Sequence, residues 1–163
     1  MKKLGFTILE LIVALGVLAI VLTVGINVFF QIIQATNQAT TQNELRQNAN
    51  LVMEQIGRRV RSGACLMVNV TNKTLSIYPS KLASGVCDGA PITFAMDATN
   101  NCISESSACI TSNKIRPTNF ILSSNTYSNS VTVNLTLEST GTRTDTSGQI
   151  TQTQTFSLRD YNY

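Results

Sequence analysis

From Leu11 to Ile26 the chain is apolar, with Thr23 as the one strongly polar interruption, and Val28, Phe29, Phe30, Ile32 and Ile33 prolong the run. At Gln34 it turns polar and rich in amides, yet neither glycine nor proline intervenes between Ile26 and Ile56, so the helix continues. Leu45, Ala49, Val52, Ile56 and Val60 then recur at spacings of three and four, which places them on one helical face. An end near Ser62-Gly63 suits a glycine at the position after the helix, with Arg58, Arg59 and Arg61 against the negative end of the helix dipole. A helix from Phe6 to Ser62 would be roughly 85 Å long at the α-helical rise.

Past Gly63 the period shortens to two. Leu66–Val70 and Thr74–Tyr78 flank the polar Thr71-Asn72-Lys73 and predict a hairpin, and Ile92–Met96 predicts a third strand. The stretch from Asp97 to Asn113 has no useful periodicity and reads as a loop pinned by disulfides. Phe120-Ile121-Leu122 predicts a short strand, and Val131, Val133, Leu135 and Leu137 alternate along a longer one. Thr140 to Gly148 reads as a polar loop, and Ile150 to Leu158 as a last strand with Ile150, Phe156 and Leu158 on one side and threonines on the other. A helix followed by strands predicts an α+β domain whose antiparallel sheet packs on the second half of the helix. The segments are then 1–5, a short leader; 6–33, a membrane-spanning helix; 34–62, its amphipathic continuation; and 64–163, a β-rich head.

Composition narrows the chemistry. The chain has 163 residues and no histidine or tryptophan, so the commonest general base and the commonest metal ligand are both missing. No catalytic constellation emerges, and the expectation is a protein that is not an enzyme and needs no cofactor. Four cysteines, Cys65, Cys87, Cys102 and Cys109, all follow the apolar run. An even count in a small exported domain predicts two disulfides. Three connectivities are open; sequential pairing, Cys65 with Cys87 and Cys102 with Cys109, closes short loops without crossing the sheet and is the expectation. A zinc site is the alternative, but it would want close C-x-x-C pairs. The 12 basic side chains, less Lys2 and Lys3 in the leader, stand against 9 acidic ones, which makes no case for a nucleic-acid partner.

One residue is out of place: Glu10, a carboxylate at the start of a segment fit to span a bilayer. Burial in hydrocarbon costs an ionised group about 2.5–3.5 kcal/mol even on insertion scales, so a partner for it must be sought. A cut after Gly5 would supply one, because the new α-amino group on Phe6 would lie about one helical turn from Glu10. A secretory signal peptide would instead end in a small-residue cleavage site after the apolar run, and none follows. A plain single-pass anchor fits the length of the run but leaves Glu10 unexplained.

Gly5, Phe6, Thr7 and Glu10, behind the basic Lys2 and Lys3, resemble the prepilin signature of type IV pilins and type II secretion pseudopilins. The resemblance is specific over about residues 1–33. It implies a pilin-like fold, cleavage between Gly5 and Phe6 by a prepilin peptidase, N-methylation of Phe6, and assembly in which Glu10 pairs with the Phe6 terminus of a neighbour. The implied partners are other pilin or pseudopilin subunits, the peptidase, an inner-membrane assembly platform and membrane lipid. The implied location is the inner membrane, leader in the cytoplasm and head outside, then a filament. Glu54–Arg61 and Phe156–Asp160 look like the minor subunits of the PulJ and PilW type, which sit at filament tips, whereas major pilins build the shaft. The helix-breaking proline of many major pilins is replaced by Asn27. Outside the family, the alternative is a membrane-anchored adhesin or DNA-binding module that never polymerises.

The remaining candidates have plain readings beside the functional ones. Asp88, Asp97 and Glu105 would be calcium ligands of a loop or simply solvated carboxylates, and no EF-hand alternation favours calcium. Arg58, Arg59 and Arg61 would contact DNA phosphates or decorate a helix terminus, with Glu54 one turn before Arg58; the second is the expectation. Gly16 and Gly25 would let helices approach closely or are merely tolerated in a membrane helix. Tyr127, Tyr161 and Tyr163 would be contact residues or ordinary exposed tyrosines.

Overall fold

A computed structural model describes residues 7–125, 129–140 and 148–159. Gly5, Phe6, Tyr127, Tyr161, Tyr163, Asp160 and most of the expected loop from Thr140 to Gly148 lie outside them. Among these residues one long helix, α1 (Ile8–Ser62), is followed by ten strands in antiparallel sheets, and the chain divides into two compact units, Met1–Ala39 and Thr40–Tyr163. In the first unit every described residue is exposed.

The second unit is built on the stripe that the spacing predicts. Leu45, Ala49, Val52, Ile56 and Val60 are buried to 1% exposure or less, joined by Met53 and Gly57. The off-stripe neighbours Glu44, Arg46, Glu54 and Arg58 stay exposed. α1 ends at Ser62, and the Gly63 amide donates to the Arg59 carbonyl at 2.9 Å. The glycine stands after the helix as expected, but it is not a left-handed cap, since its φ is not positive. A Cβ there would lie 2.5 Å from Cγ2 of Ile77, so Gly63 is the clearance between helix end and sheet.

Five strands form the larger sheet, in the order β1 (Cys65–Asn69), β2 (Thr74–Tyr78), β5 (Ile92–Asp97), β6 (Cys102–Glu105) and β7 (Ala108–Cys109). The β1–β2 hairpin pairs Leu66 with Ile77 and Val68 with Leu75, and turns where Asn69 Oδ1 accepts from the Asn72 amide at 2.9 Å. A second sheet has the order β10 (Gln149–Ser157), β9 (Ser130–Ser139), β8 (Ile115–Asn125), and a two-stranded ribbon joins β3 (Ser80–Lys81) to β4 (Cys87–Asp88). The single sheet expected from the sequence is thus divided. Leu75, Ile77, Phe94 and Ile103 from the first sheet and Phe120, Val131, Val133, Leu135, Leu137 and Phe156 from the second meet the helical stripe in one core.

Two expectations need correction. The stretch from Asp97 to Asn113 is not only a loop: it holds β6 and β7, and Cys102, Ile103 and Ser104 are all buried. Small polar side chains on one strand hid the period there. The strand expected at Phe120–Leu122 runs over eleven residues, with a register shift between Pro117 and Asn119 that breaks its alternation. On β9 the outward face is held by hydroxyl and amide pairs across to β10: Thr132 with Thr155 at 2.8 Å, Asn134 with Thr153 at 3.0 Å, and Thr136 with Thr151 at 3.1 Å.

Candidate functional site

Thr7 opens α1. Its carbonyl and its Oγ1 both accept from the Glu10 amide, at 3.1 and 3.3 Å, which makes it the N-cap and sets Glu10 at the third helical position. Thr-x-x-Glu is the spacing of a capping box, in which a carboxylate near the helix start also meets the positive end of the dipole, worth about 0.3–1 kcal/mol. The hydrogen bonds to Thr7 come from the Glu10 backbone amide, and what the Glu10 side chain adds locally is a negative charge at the positive end of its own helix.

Behind Glu10 the helix is apolar and uncovered. Ile12, Ile20, Val24 and Phe29 are between 58 and 66% exposed. The most apolar window has a mean hydropathy of 2.7, and the helix is long enough to cross a bilayer. Thr23 does not interrupt this chemically, because its hydroxyl donates to the Ala19 carbonyl at 2.8 Å, and Thr36 does the same to Ile32 at 2.8 Å. A hydroxyl spent on its own helix no longer seeks water. Gly16 and Gly25 have open space around them, with nothing within 4 Å of an added Cβ.

In the second unit the four cysteines form Cys65–Cys87 and Cys102–Cys109, the sequential pairing. Zinc has no ligands left among them, since both sulfurs of each pair are bonded. The Asp97 carboxylate lies within 4.8 Å of the Cys102 and Cys109 sulfurs, but sulfurs in a disulfide are not thiolates and hold no ion.

The calcium reading also loses its carboxylates. Glu105, on β6, takes the Arg59 Nε–H at 2.7 Å and is only 17% exposed, so it belongs to an ion pair. Asp97 closes the β5–β6 turn. It accepts from the Asn100 side chain at 2.7 Å and from the Asn100 and Thr99 amides at 3.1 and 2.8 Å. The Asn100 side chain first, then these amides, hold its carboxyl below the usual carboxylate value. Asp88 lies in β4, and the three form no common group among the described residues.

Of the three arginines, Arg58 stands 3.8 Å from Glu54, and Arg59 is paired with Glu105 across 46 residues of sequence. Arg61 lines a separate hollow with Gly57, Gln152 and Phe156. They do not converge into one patch. No family model, curated protein or solved structure matches the chain.

Proposed function

We propose that the chain is a minor pilin-like subunit of a type IV pilus or type II secretion pseudopilus, structural and non-enzymatic. The observation that carries this reading is an uncovered apolar helix that opens on a carboxylate. Such a helix needs lipid first, and leaves lipid only for another apolar surrounding, which side-by-side packing with copies and partner subunits supplies. In this reading a prepilin peptidase cuts between Gly5 and Phe6, Phe6 is methylated, the head faces away from the cytoplasm, and Glu10 pairs with the Phe6 terminus of a neighbour. The sequence resemblance at Gly5, Phe6, Thr7 and Glu10 supports it, as do two disulfides, which suit an oxidising compartment.

A second reading is favoured by the place of Glu10 at the third helical position, behind a Thr7 cap that takes its backbone amide: a single-pass anchor in which the Glu10 carboxylate only meets the positive end of its own helix. Glu10→Gln separates the two, because glutamine also serves at the third position of a capping box but carries no charge. Under the subunit reading Glu10→Gln enters the membrane normally and, like Glu10→Val, fails to appear in sheared filaments. Normal incorporation of Glu10→Gln would mean that the charge of Glu10 plays no part in assembly. Mass spectrometry of membrane-extracted protein should find a terminus at methylated Phe6, and an intact Met1 in cells with active prepilin peptidase would sink the reading.

A further inference from the structure

β10 is the outermost strand of the second sheet, and its register with β9 runs from Gln149 to Ser157 without a shift. Just beyond one end of that ladder the Ser139 amide donates to the Gly148 carbonyl at 3.1 Å, and beyond the other the Leu158 amide donates to the Asn129 carbonyl at 3.0 Å. Antiparallel hydrogen bonding alternates by two, so the even-numbered residues of β10 turn their backbone groups to β9 and the odd-numbered ones turn theirs away. Thr151, Thr153 and Thr155 therefore direct backbone donors and acceptors outward, and all three are exposed. Strand edges are commonly blunted by charge, proline, a bulge or short length. β10 has none of these.

This edge is also one wall of a groove. Gln152 Nε2 donates to Asn50 Oδ1 at 3.1 Å, and the Phe156 ring lies 2.8 Å from a Cβ placed on Gly57, so β10 runs beside α1 in the same direction. Two hollows follow the border, one of about 140 Å³ at Arg46 and Ile150 and one of about 240 Å³ at Glu54, Arg61 and Gln154. Glu54 faces Arg58 at 3.8 Å, whereas neither Arg46 nor Arg61 has an ion-pair partner among the described residues. The unmatched charge of the groove is thus positive, in two places. Fifteen helical positions separate the two arginines, about 22 Å. An extended chain covers about 20 Å in six residues, an even number that brings a side chain back to the same face.

We propose that the β10 edge takes up an acidic peptide from a partner chain as a fourth strand of this sheet, with two carboxylates six residues apart on Arg46 and Arg61 and uncharged residues between them. Main-chain hydrogen bonds to Thr151, Thr153 and Thr155 give attachment, and the arginines give selection. A second copy of β10 has no carboxylate to offer them. The site does not depend on whether the chain enters a filament.

The test uses the full chain in detergent micelles, both disulfides intact, and the capped peptide Asp-Thr-Val-Thr-Val-Thr-Asp. Saturable one-to-one binding is expected by calorimetry, with slowed amide exchange at Thr151, Thr153 and Thr155 and no change at Gln152 and Gln154, whose amides already bond to β9. The peptide with lysine at both ends should not bind, nor should one N-methylated at its threonines, whose amides face β10 in the added strand. Arg46→Gln/Arg61→Gln should weaken binding about three- to tenfold, as for two exposed ion pairs. Thr153→Pro removes only an outward amide, so it should keep the pairing with β9 and lose the peptide. The proposal is overturned if exchange at the three threonines does not change, if the lysine or the N-methylated peptide binds as well as the acidic one, or if sedimentation shows two copies paired through β10 to the exclusion of the peptide.

Discussion

Ile20 and Ile56 belong to one helix, yet the first is 66% exposed and the second 0%. Their backbones make the same hydrogen bonds; what differs is how apolar residues are distributed around the axis. Up to Ile33 they occupy every side, so no single surface of a small domain is able to cover them. From Leu45 onward they keep to a stripe, Leu51 excepted, and charged and amide residues fill the rest. The comparison teaches that helix formation and helix burial are separate instructions in this chain. The first is given by the absence of proline throughout α1 and of glycine between Ile26 and Ile56, the second by the width of the apolar arc.

The sharpest way to break this contrast is a matched pair of truncations. Ile56→Ala should cost the second unit about 2–5 kcal/mol, read as a lower denaturation midpoint of the full chain in micelles. Ile20→Ala should leave that midpoint where it was. Equal effects would mean that the first unit contributes to the core of the second.

Next come the cross-links, which act only on the second unit. Replacing Cys65 and Cys87 by serine opens a 22-residue separation and should cost about 3 kcal/mol, against about 2 kcal/mol for Cys102 and Cys109, separated by seven. Denaturant titration of the two double variants would show whether that order holds. Gly63→Ala is expected to cost about 1–3 kcal/mol, because the Ile77 methyl must move for the added Cβ. Gly25→Ala, in open space, should change nothing in the same assay.

The smallest effect concerns acid. The Asp97 carboxyl is held below its ordinary value of 3.8 in the folded chain, so the stability it lends is complete above that value and is lost as pH falls through the lower folded one. Amide exchange at Thr99 and Asn100 should speed up, relative to the rest of the sheet, below about pH 4. Asp97→Asn should remove that acid dependence.

How much of this was legible depended on the distance over which each signal acts. The stripe from Leu45 to Val60 and the alternation from Val131 to Leu137 announce themselves because every core position is a large aliphatic or an alanine in step with its period. β6 carries only Ile103 as an aliphatic, between a cystine sulfur and a buried serine, and so gives no period to read. β8 loses its alternation at the bulge between Pro117 and Asn119. At the candidate sites the same rule applies. Thr7-x-x-Glu10 is a local pattern, whereas the pairing of Arg59 with Glu105 arises only when β6 folds back against α1.

The order of the larger sheet gives its two disulfides a second meaning. Its outermost strands are β1 and β7, where unpaired amides and carbonyls would otherwise invite another chain to add on and start aggregation. Cys65–Cys87 ties the β3–β4 ribbon to β1, and Cys102–Cys109 locks a β7 only two residues long onto β6. Each cross-link therefore guards one open border. Reduction of the chain should show itself as strand addition between second units as well as loss of stability.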